Sequence, residues 1–100
     1  MLALLCLTVS GAWAQNPDWV RDGDAWDATT KTLTVNSDIE EDEAYREKND
    51  IEHVIIADGV TKIGDRAFFY SENVKSVSIP DGVTEIGEGA FFHLQELTGF

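Results

Sequence analysis

The sequence predicts a β-rich α/β fold in which short repeated units stack into a solenoid. Residues 58–69 read DGVTKIGDRAFF and residues 81–92 read DGVTEIGEGAFF, 23 positions further along the chain. When residues 51–73 are aligned with residues 74–96, 11 of the 23 positions are identical. Near the start of each copy, apolar residues occupy every second position, Val54 and Ile56 in one and Val77 and Ile79 in the other, as on the buried face of a strand. Self-similarity at one fixed period is typical of proteins in which each unit buries its apolar face against its neighbours.

Residues 1–14 are predicted to be a signal peptide. The run from Leu2 to Val9 is apolar, and Ala12-Trp13-Ala14 is an A-x-A cleavage pattern that would leave Gln15 at the start of the mature chain. The run is much shorter than the roughly 20 apolar residues that cross a bilayer. No Lys or Arg precedes it, which leaves a start further upstream, a weak signal or a buried apolar strand as alternatives. Cys6 is the single cysteine, so no disulfide is predicted in the mature chain.

Residues 15–50 precede the two copies and are predicted to be mostly irregular. Asp22-Gly23-Asp24 predicts a turn. Residues 31–36 alternate polar and apolar side chains and are rich in β-branched residues, which predicts a strand.

Residues 38–52 carry eight acidic residues, opposed only by Arg46 and Lys48. This composition predicts a solvated loop, with a helical turn around residues 41–47. Asp22, Asp24 and Asp27 suggest a calcium site as the alternative to an acidic turn. Their spacing lacks the regular oxygen ligands and the closing Glu of a known calcium loop, so the acidic turn is the favoured interpretation.

The first of the two clear copies shows how one unit is built. Ile51-x-x-Val54-x-Ile56 has the L-x-x-L-x-L spacing of a repeat strand. Asp58-Gly59 predicts a turn, and residues 60–63 alternate again and predict a second short strand. Gly64 ends that strand, and residues 65–68 predict a single helical turn with an acid at its N-terminus. The second copy repeats these elements in the same order, with Pro80-Asp81-Gly82 at the first turn.

Strand alternation assigns each side chain a face. We expect these residues to point inward: Val54, Ile56, Val60, Ile63, Ala67, Phe68, Val77, Ile79, Val83, Ile86, Ala90 and Phe91. We expect His53, Lys62, Ser76 and Glu85 to be exposed. The second aromatic of each copy, Phe69 or Phe92, is expected to cover the outside of the coil or an adjacent turn.

The pattern I-P-D-G-V-T-x-I-G-x-x-A-F, from Ile79 to Phe91, resembles the BspA-type leucine-rich repeats of bacterial and protist surface proteins. The resemblance covers residues 51–100, as copies 51–73 and 74–96 and a partial copy 97–100, and implies a right-handed leucine-rich repeat solenoid. Residues 19–50 resemble the N-terminal segment that caps such arrays, so the resemblance implies that residues 15–50 form an N-terminal β cap. Ser71 and Leu94 stand where the family often has Cys, and Ala57 stands where the second copy has Pro80.

The resemblance implies a secreted or surface-attached protein that binds other proteins, in adhesion to host matrix or to other cells. The candidate binding surface is the concave face of the strands, carrying His53, Ile55, Ser76 and Ser78. Two alternatives are a structural spacer or cap that presents a downstream domain and a carbohydrate-binding module. The latter is disfavoured because this face carries no aromatic side chain.

Charge and motifs argue against other functions. The formal net charge is −12, which repels nucleic acid and anionic lipid. The two histidines, His53 and His93, fall at different points of the repeat, and no G-x-S-x-G, H-E-x-x-H or phosphate-loop pattern occurs. We therefore expect no enzymatic activity, no cofactor and no metal.

Two full copies and a four-residue stub are fewer units than a stable solenoid needs, since about three or more are usual. We expect further repeats of the same chain. Without them, the second copy is expected to expose an apolar face to water.

Overall fold

The computed structural model describes residues 16–94 and Leu97. The predicted signal peptide, its Cys6 and the predicted mature start at Gln15 lie outside the described residues. Of the partial copy at 97–100, only Leu97 lies within them.

Six short strands run through the described residues: β1 Ala25–Asp27, β2 Thr32–Val35, β3 His53–Ile56, β4 Lys62–Ile63, β5 Ser76–Ser78 and β6 Glu85–Ile86. They form a four-stranded sheet in the order β1-β2-β3-β5 and a two-stranded sheet of β4 and β6. β1 and β2 form an antiparallel hairpin, and β3 and β5 add to it in parallel. The strand predicted at residues 31–36 is β2. The chain therefore has the β-rich repeat fold that the sequence predicts.

Strand register confirms the period of the repeat. His53 pairs with Ser76 in the larger sheet, and Lys62 pairs with Glu85 in the smaller one. Each pair joins equivalent positions of the two clear copies. Each copy therefore lies directly on the preceding one, and equivalent positions form columns across the copies.

The predicted helical turn at residues 65–68 is absent, and the described residues contain no helix. This segment is a series of tight turns, in which Ala67 N donates to Gly64 O and Phe69 N donates to Arg66 O. Arg66 has a φ of 52° and Tyr70 a φ of 60°, and a left-handed residue interrupts a right-handed helix. The same conformation recurs at the equivalent positions of the other coils. Glu43 and Gly89 correspond to Arg66, and Glu47 and His93 correspond to Tyr70.

The acidic segment at residues 38–52 is not the solvated loop that its charge predicts, and residues 41–47 form turns rather than the predicted helical turn. Ile39 and Tyr45 are completely buried, and Tyr45 N donates to Ala67 O at 2.6 Å, as Phe68 N donates to Ala90 O at 2.7 Å. Residues 42–45 read DEAY and align with DRAF at 65–68 and EGAF at 88–91, at the same period. The acids point outward, while the alanine and the aromatic residue pack inward as in the two clear copies.

Burial in the core confirms most of the side chains that are predicted to point inward. All six inward residues of the first copy are at most 3% exposed, as are Val77 and Ala90 of the second. Ile79, Val83 and Phe91 are half-buried, and Ile86 is 50% exposed, against the expectation that it points inward. Ile86 lies in β6, which pairs only with β4 among the described strands. The equivalent Ile63 of β4 is buried because residues 38–41 cover the other side of that strand, where Ile39 N donates to Lys62 O at 3.0 Å. Of the residues expected to be exposed, Glu85 is, whereas His53, Lys62 and Ser76 are half-buried.

We call the segment at residues 38–50 and each of the two clear copies a coil. Residues 16–24 pack onto the first coil, residues 38–50, through a buried polar cluster. Asp24 is 4% exposed. It receives hydrogen bonds from Tyr45 Oη at 2.6 Å, from Asn36 N at 2.8 Å and from the Arg21 guanidinium at 3.1 Å. The same guanidinium donates to Asp38 O at 2.7 Å. Burial, reinforced by the hydrogen bond to Asp24, raises the pKa of the Tyr45 phenol above its ordinary 10.0. This cluster joins the N-terminal segment to the repeats.

Candidate functional site

The larger sheet presents one face to the core and the other to solvent. On the solvent side, the register brings eight side chains into two rows, one from each strand in each row. The first row is Asp27, Thr32, His53 and Ser76, and the second is Ala25, Thr34, Ile55 and Ser78. We call these eight residues the outer sheet face. Alternation buries the residues between them, such as Leu33, Val54 and Val77.

The structure brings the four predicted site residues together on this face. His53 and Ser76 are adjacent in the first row, and Ile55 and Ser78 are adjacent in the second. Together they line an open recess of about 660 Å³. Ile55 is 44% exposed, which makes it the apolar centre of the face.

Two threonines that are absent from the predicted site, Thr32 and Thr34, extend both rows. Their signal was present, because they alternate with Leu33 and Val35 in the predicted strand. What the sequence did not reveal was that β2 pairs directly with β3, so that Thr34 lies beside Ile55. Ala25 and Asp27 of β1 join the face by antiparallel pairing with β2.

The polar side chains of the two rows differ in their hydrogen bonding. In the first row, Asp27 accepts from Thr29 N at 2.9 Å, and His53 Nδ1 lies 2.7 Å from Ser76 Oγ. In the second row, no hydrogen bond within the described residues engages the hydroxyl of Thr34 or Ser78. The second row therefore presents two exposed apolar side chains, Ala25 and Ile55, and Ile55 lies between the hydroxyl-bearing side chains of Thr34 and Ser78.

The outer sheet face is almost free of formal charge in a strongly acidic chain. Asp27 is its single carboxylate, and it has no Lys or Arg. Elsewhere the acids form ion pairs between coils: Lys62 lies 3.1 Å from Glu40 and 3.8 Å from Glu85, and Arg66 pairs with Asp42. A partner at the outer sheet face would therefore desolvate few charges.

Asp22, Asp24 and Asp27 lie in or beside turns, and hydrogen bonds engage the carboxylates of the last two. Asp24 is occupied by Arg21, Asn36 and Tyr45, and Asp27 closes the β1–β2 turn by accepting from Thr29 N. Among residues 16–94 and Leu97, no group of three or more His, Cys, Asp or Glu side chains is placed to hold a metal ion.

His53 and His93 lie on different parts of the coil. His53 belongs to β3, whereas His93 follows β6, where its Nδ1 lies 3.3 Å from a carboxylate oxygen of Glu72. No helix within the described part of the chain is long and apolar enough to span a membrane.

Comparisons with known proteins identify the family. Neither the curated proteins nor the solved structures yield a significant match. The family model of the BspA type leucine rich repeat region, which comprises six copies, matches residues 37–100. That match begins before residue 51 and includes the acidic segment that carries the DEAY copy. The chain belongs to the BspA-type leucine-rich repeat family.

Proposed function

We propose that this chain is a non-enzymatic adhesion or protein-binding protein whose outer sheet face contacts another protein. The observation that carries the proposal is the second row of that face, with Ile55 exposed between the hydroxyls of Thr34 and Ser78. Protein interfaces commonly combine an apolar, charge-poor centre with a polar rim. Membership of the BspA-type family supports the same class of function, because these repeats typically act in protein–protein interaction or adhesion.

The coil geometry suits this role if it continues as a solenoid. Parallel strands add about 4.8 Å of sheet width per coil, so each further repeat would lengthen the face without altering its two rows. Of residues 15–50, which the resemblance implies to be the N-terminal cap, residues 16–36 would keep that role, held by Arg21, Asp24 and Tyr45, because residues 38–50 pack as a further repeat. Residues 1–14 would direct export, and the protein would then act outside the cell or on its surface.

The carbohydrate-binding alternative has less support. Binding of sugars commonly uses an exposed aromatic surface for stacking, and none of the eight face positions is aromatic. Trp26 of β1 is half-buried, pairs with the core residue Leu33 and contacts Trp19 at a centroid distance of 4.8 Å. The spacer alternative predicts no specific binding by this chain at all.

Binding of the full chain to immobilised matrix proteins and to intact cells separates these functions. The proposal predicts saturable binding to at least one protein ligand that survives enzymatic removal of its glycans. Binding that disappears with the glycans would favour the carbohydrate module. An absence of saturable binding on every protein and cell surface would favour the spacer.

A further inference from the structure

A second surface of the coils carries a group of solvent-facing aromatic rings. Phe69 and Phe92, at equivalent positions of the two clear copies, stack at a centroid distance of 5.0 Å. Tyr70 packs edge-on against both, at 4.6 and 5.6 Å, and lies 4.6 Å from the ring of His93. Phe92 is 49% exposed. We call Phe69, Tyr70, Phe92 and His93 the aromatic ridge; it shares no residue with the outer sheet face.

Carboxylates border the aromatic ridge. Glu47 and Glu72, with side chains 57% and 44% exposed, line a shallow recess of about 260 Å³ together with Asn49 and Tyr70. Their negative charge adds to that of a chain whose formal net charge is −12. An aromatic ring beside two carboxylates is a suitable environment for an ammonium or guanidinium group.

The chain already places one of its own cations in this kind of environment. The guanidinium of Arg46 lies 5.8 Å from the centroid of the Phe69 ring. It also contacts carboxylate oxygens of Glu47 at 3.0 Å and Glu43 at 3.6 Å. Position 46 becomes Phe69 and then Phe92 in the following copies. These three equivalent positions therefore begin with the cation of Arg46 and continue as the aromatic rings of Phe69 and Phe92, with no further Lys or Arg.

We propose that the aromatic ridge binds a Lys- or Arg-bearing extended segment of a partner protein. One cationic side chain of that segment enters the recess between Glu47 and Glu72, against Tyr70, and the adjacent stretch lies on the exposed ring of Phe92. Charge complementarity selects a basic segment, because the bordering acids repel acidic peptides and phosphate groups. This surface acts independently of the outer sheet face.

Fluorescence anisotropy with the full chain tests the proposal. The probe is a labelled 12-residue peptide of alternating Gly and Lys, and the neutral control replaces every Lys by Gln. Two ridge variants, Phe92→Ala and Glu72→Gln, are compared with Glu85→Gln. Glu85 provides the matched control because it is an exposed acid, loses the same charge and lies in β6, outside the ridge.

The proposal predicts that the Lys peptide binds and the Gln peptide does not. Each ridge variant should weaken binding by about threefold to fivefold, the size of one exposed cation–π or charge contact, while Glu85→Gln stays within twofold. Ile55→Glu, on the outer sheet face, should leave this binding intact. Equal weakening by Glu72→Gln and Glu85→Gln, with no effect of Phe92→Ala, would show diffuse attraction to an acidic chain and overturn the proposal.

Discussion

The phenol ring of Tyr45 stacks on the ring of Phe68, the equivalent residue of the next coil, at a centroid distance of 5.5 Å and an interplanar angle of 16°. Phe68 in turn stacks on Phe91 at 5.6 Å and 4°. The three rings form one column through three coils. The column shows that the acidic segment around Tyr45 is built as a repeat, although its sequence differs most from the other two.

The centre of this column should dominate stability. Phe68 is completely buried between two aromatic neighbours, so Phe68→Ala should lower the free energy of unfolding by about 3–5 kcal/mol. Phe92→Ala, at the half-exposed ring, should cost less than about 1 kcal/mol. Urea denaturation of both variants measures the difference. Similar losses in the two would contradict the assignment of Phe68 to the core.

The Tyr45 hydroxyl should contribute through the cluster that holds the N-terminal segment. Tyr45→Phe keeps the ring stack but removes the donor to Asp24 and the acceptor for Arg21 N. We expect a loss of about 1–2 kcal/mol, because the buried Asp24 carboxylate loses one of its hydrogen bonds. Tyr70→Phe, on the half-exposed ridge, is the control and should be nearly neutral. Thermal unfolding followed by tryptophan fluorescence reports on this region, which holds Trp19 and Trp26 of the three tryptophans of the chain.

Gly64 should be required for close contact between coils rather than for an unusual backbone angle. A Cβ at this position would lie 2.7 Å from the carbonyl oxygens of Ile39 and Glu41. Gly64→Ala should therefore cost about 1–3 kcal/mol through local overpacking. At Gly82 the nearest atom to an added Cβ is Val60 O at 3.8 Å, so Gly82→Ala should be tolerated. Comparable melting temperatures for the two variants would contradict this account.

Asp38 should make stability depend on pH at the acidic end. Hydrogen bonds from Thr61 N and Thr61 Oγ1, with help from Lys62, hold the pKa of Asp38 below its ordinary 3.8. Its stabilising effect is therefore fully present above pH 3.8 and is lost as the pH falls through the lowered pKa.

Melting temperatures of wild type and Asp38→Asn at several pH values check this expectation. The two curves should be separated near neutral pH and converge below about pH 3.8. Thr61→Val, which keeps the backbone donor but removes the hydroxyl, should give an intermediate curve. Parallel curves for wild type and Asp38→Asn at all pH values would show that this carboxylate does not titrate with folding.

Sequence alone predicted the repeat register because Val54, Ile56, Gly64 and Phe68 recur unchanged at the equivalent positions of the next copy. It missed the coil at residues 38–50 because the abundance of acids there masks two buried side chains, Ile39 and Tyr45. The match of DEAY to DRAF and EGAF was the available signal. The positive φ at Arg66 is hard to predict from that copy, because Arg has no intrinsic preference for the conformation. The available signal is Gly89, which stands at the equivalent position of the next copy and also has a positive φ.

In the candidate site, too, local patterns predict part of the surface and long-range pairing determines the rest. Alternation along β3 and β5 was enough to place His53, Ile55, Ser76 and Ser78 on one face. The addition of β1 and β2 depends on long-range pairing, which the spacing of one strand does not encode. Of the aromatic ridge, the sequence predicts only that Phe69 and Phe92 lie outside the coil. Its carboxylate border combines Glu47 of the preceding segment with Glu72 of the copy that carries Phe69 and Tyr70.

The most direct test of the proposed function compares two exposed isoleucines that differ in location. Ile55 is 44% exposed on the outer sheet face, and Ile86 is 50% exposed in the smaller sheet. The variants Ile55→Glu and Ile86→Glu introduce the same charge at the two sites. Surface plasmon resonance measures the affinity of each for the protein ligand found in the binding experiment. The account predicts at least a tenfold loss of affinity for Ile55→Glu, as for a buried centre of an interface, and nearly unchanged binding for Ile86→Glu. Unchanged binding by Ile55→Glu would contradict the assignment of the outer sheet face as the binding surface.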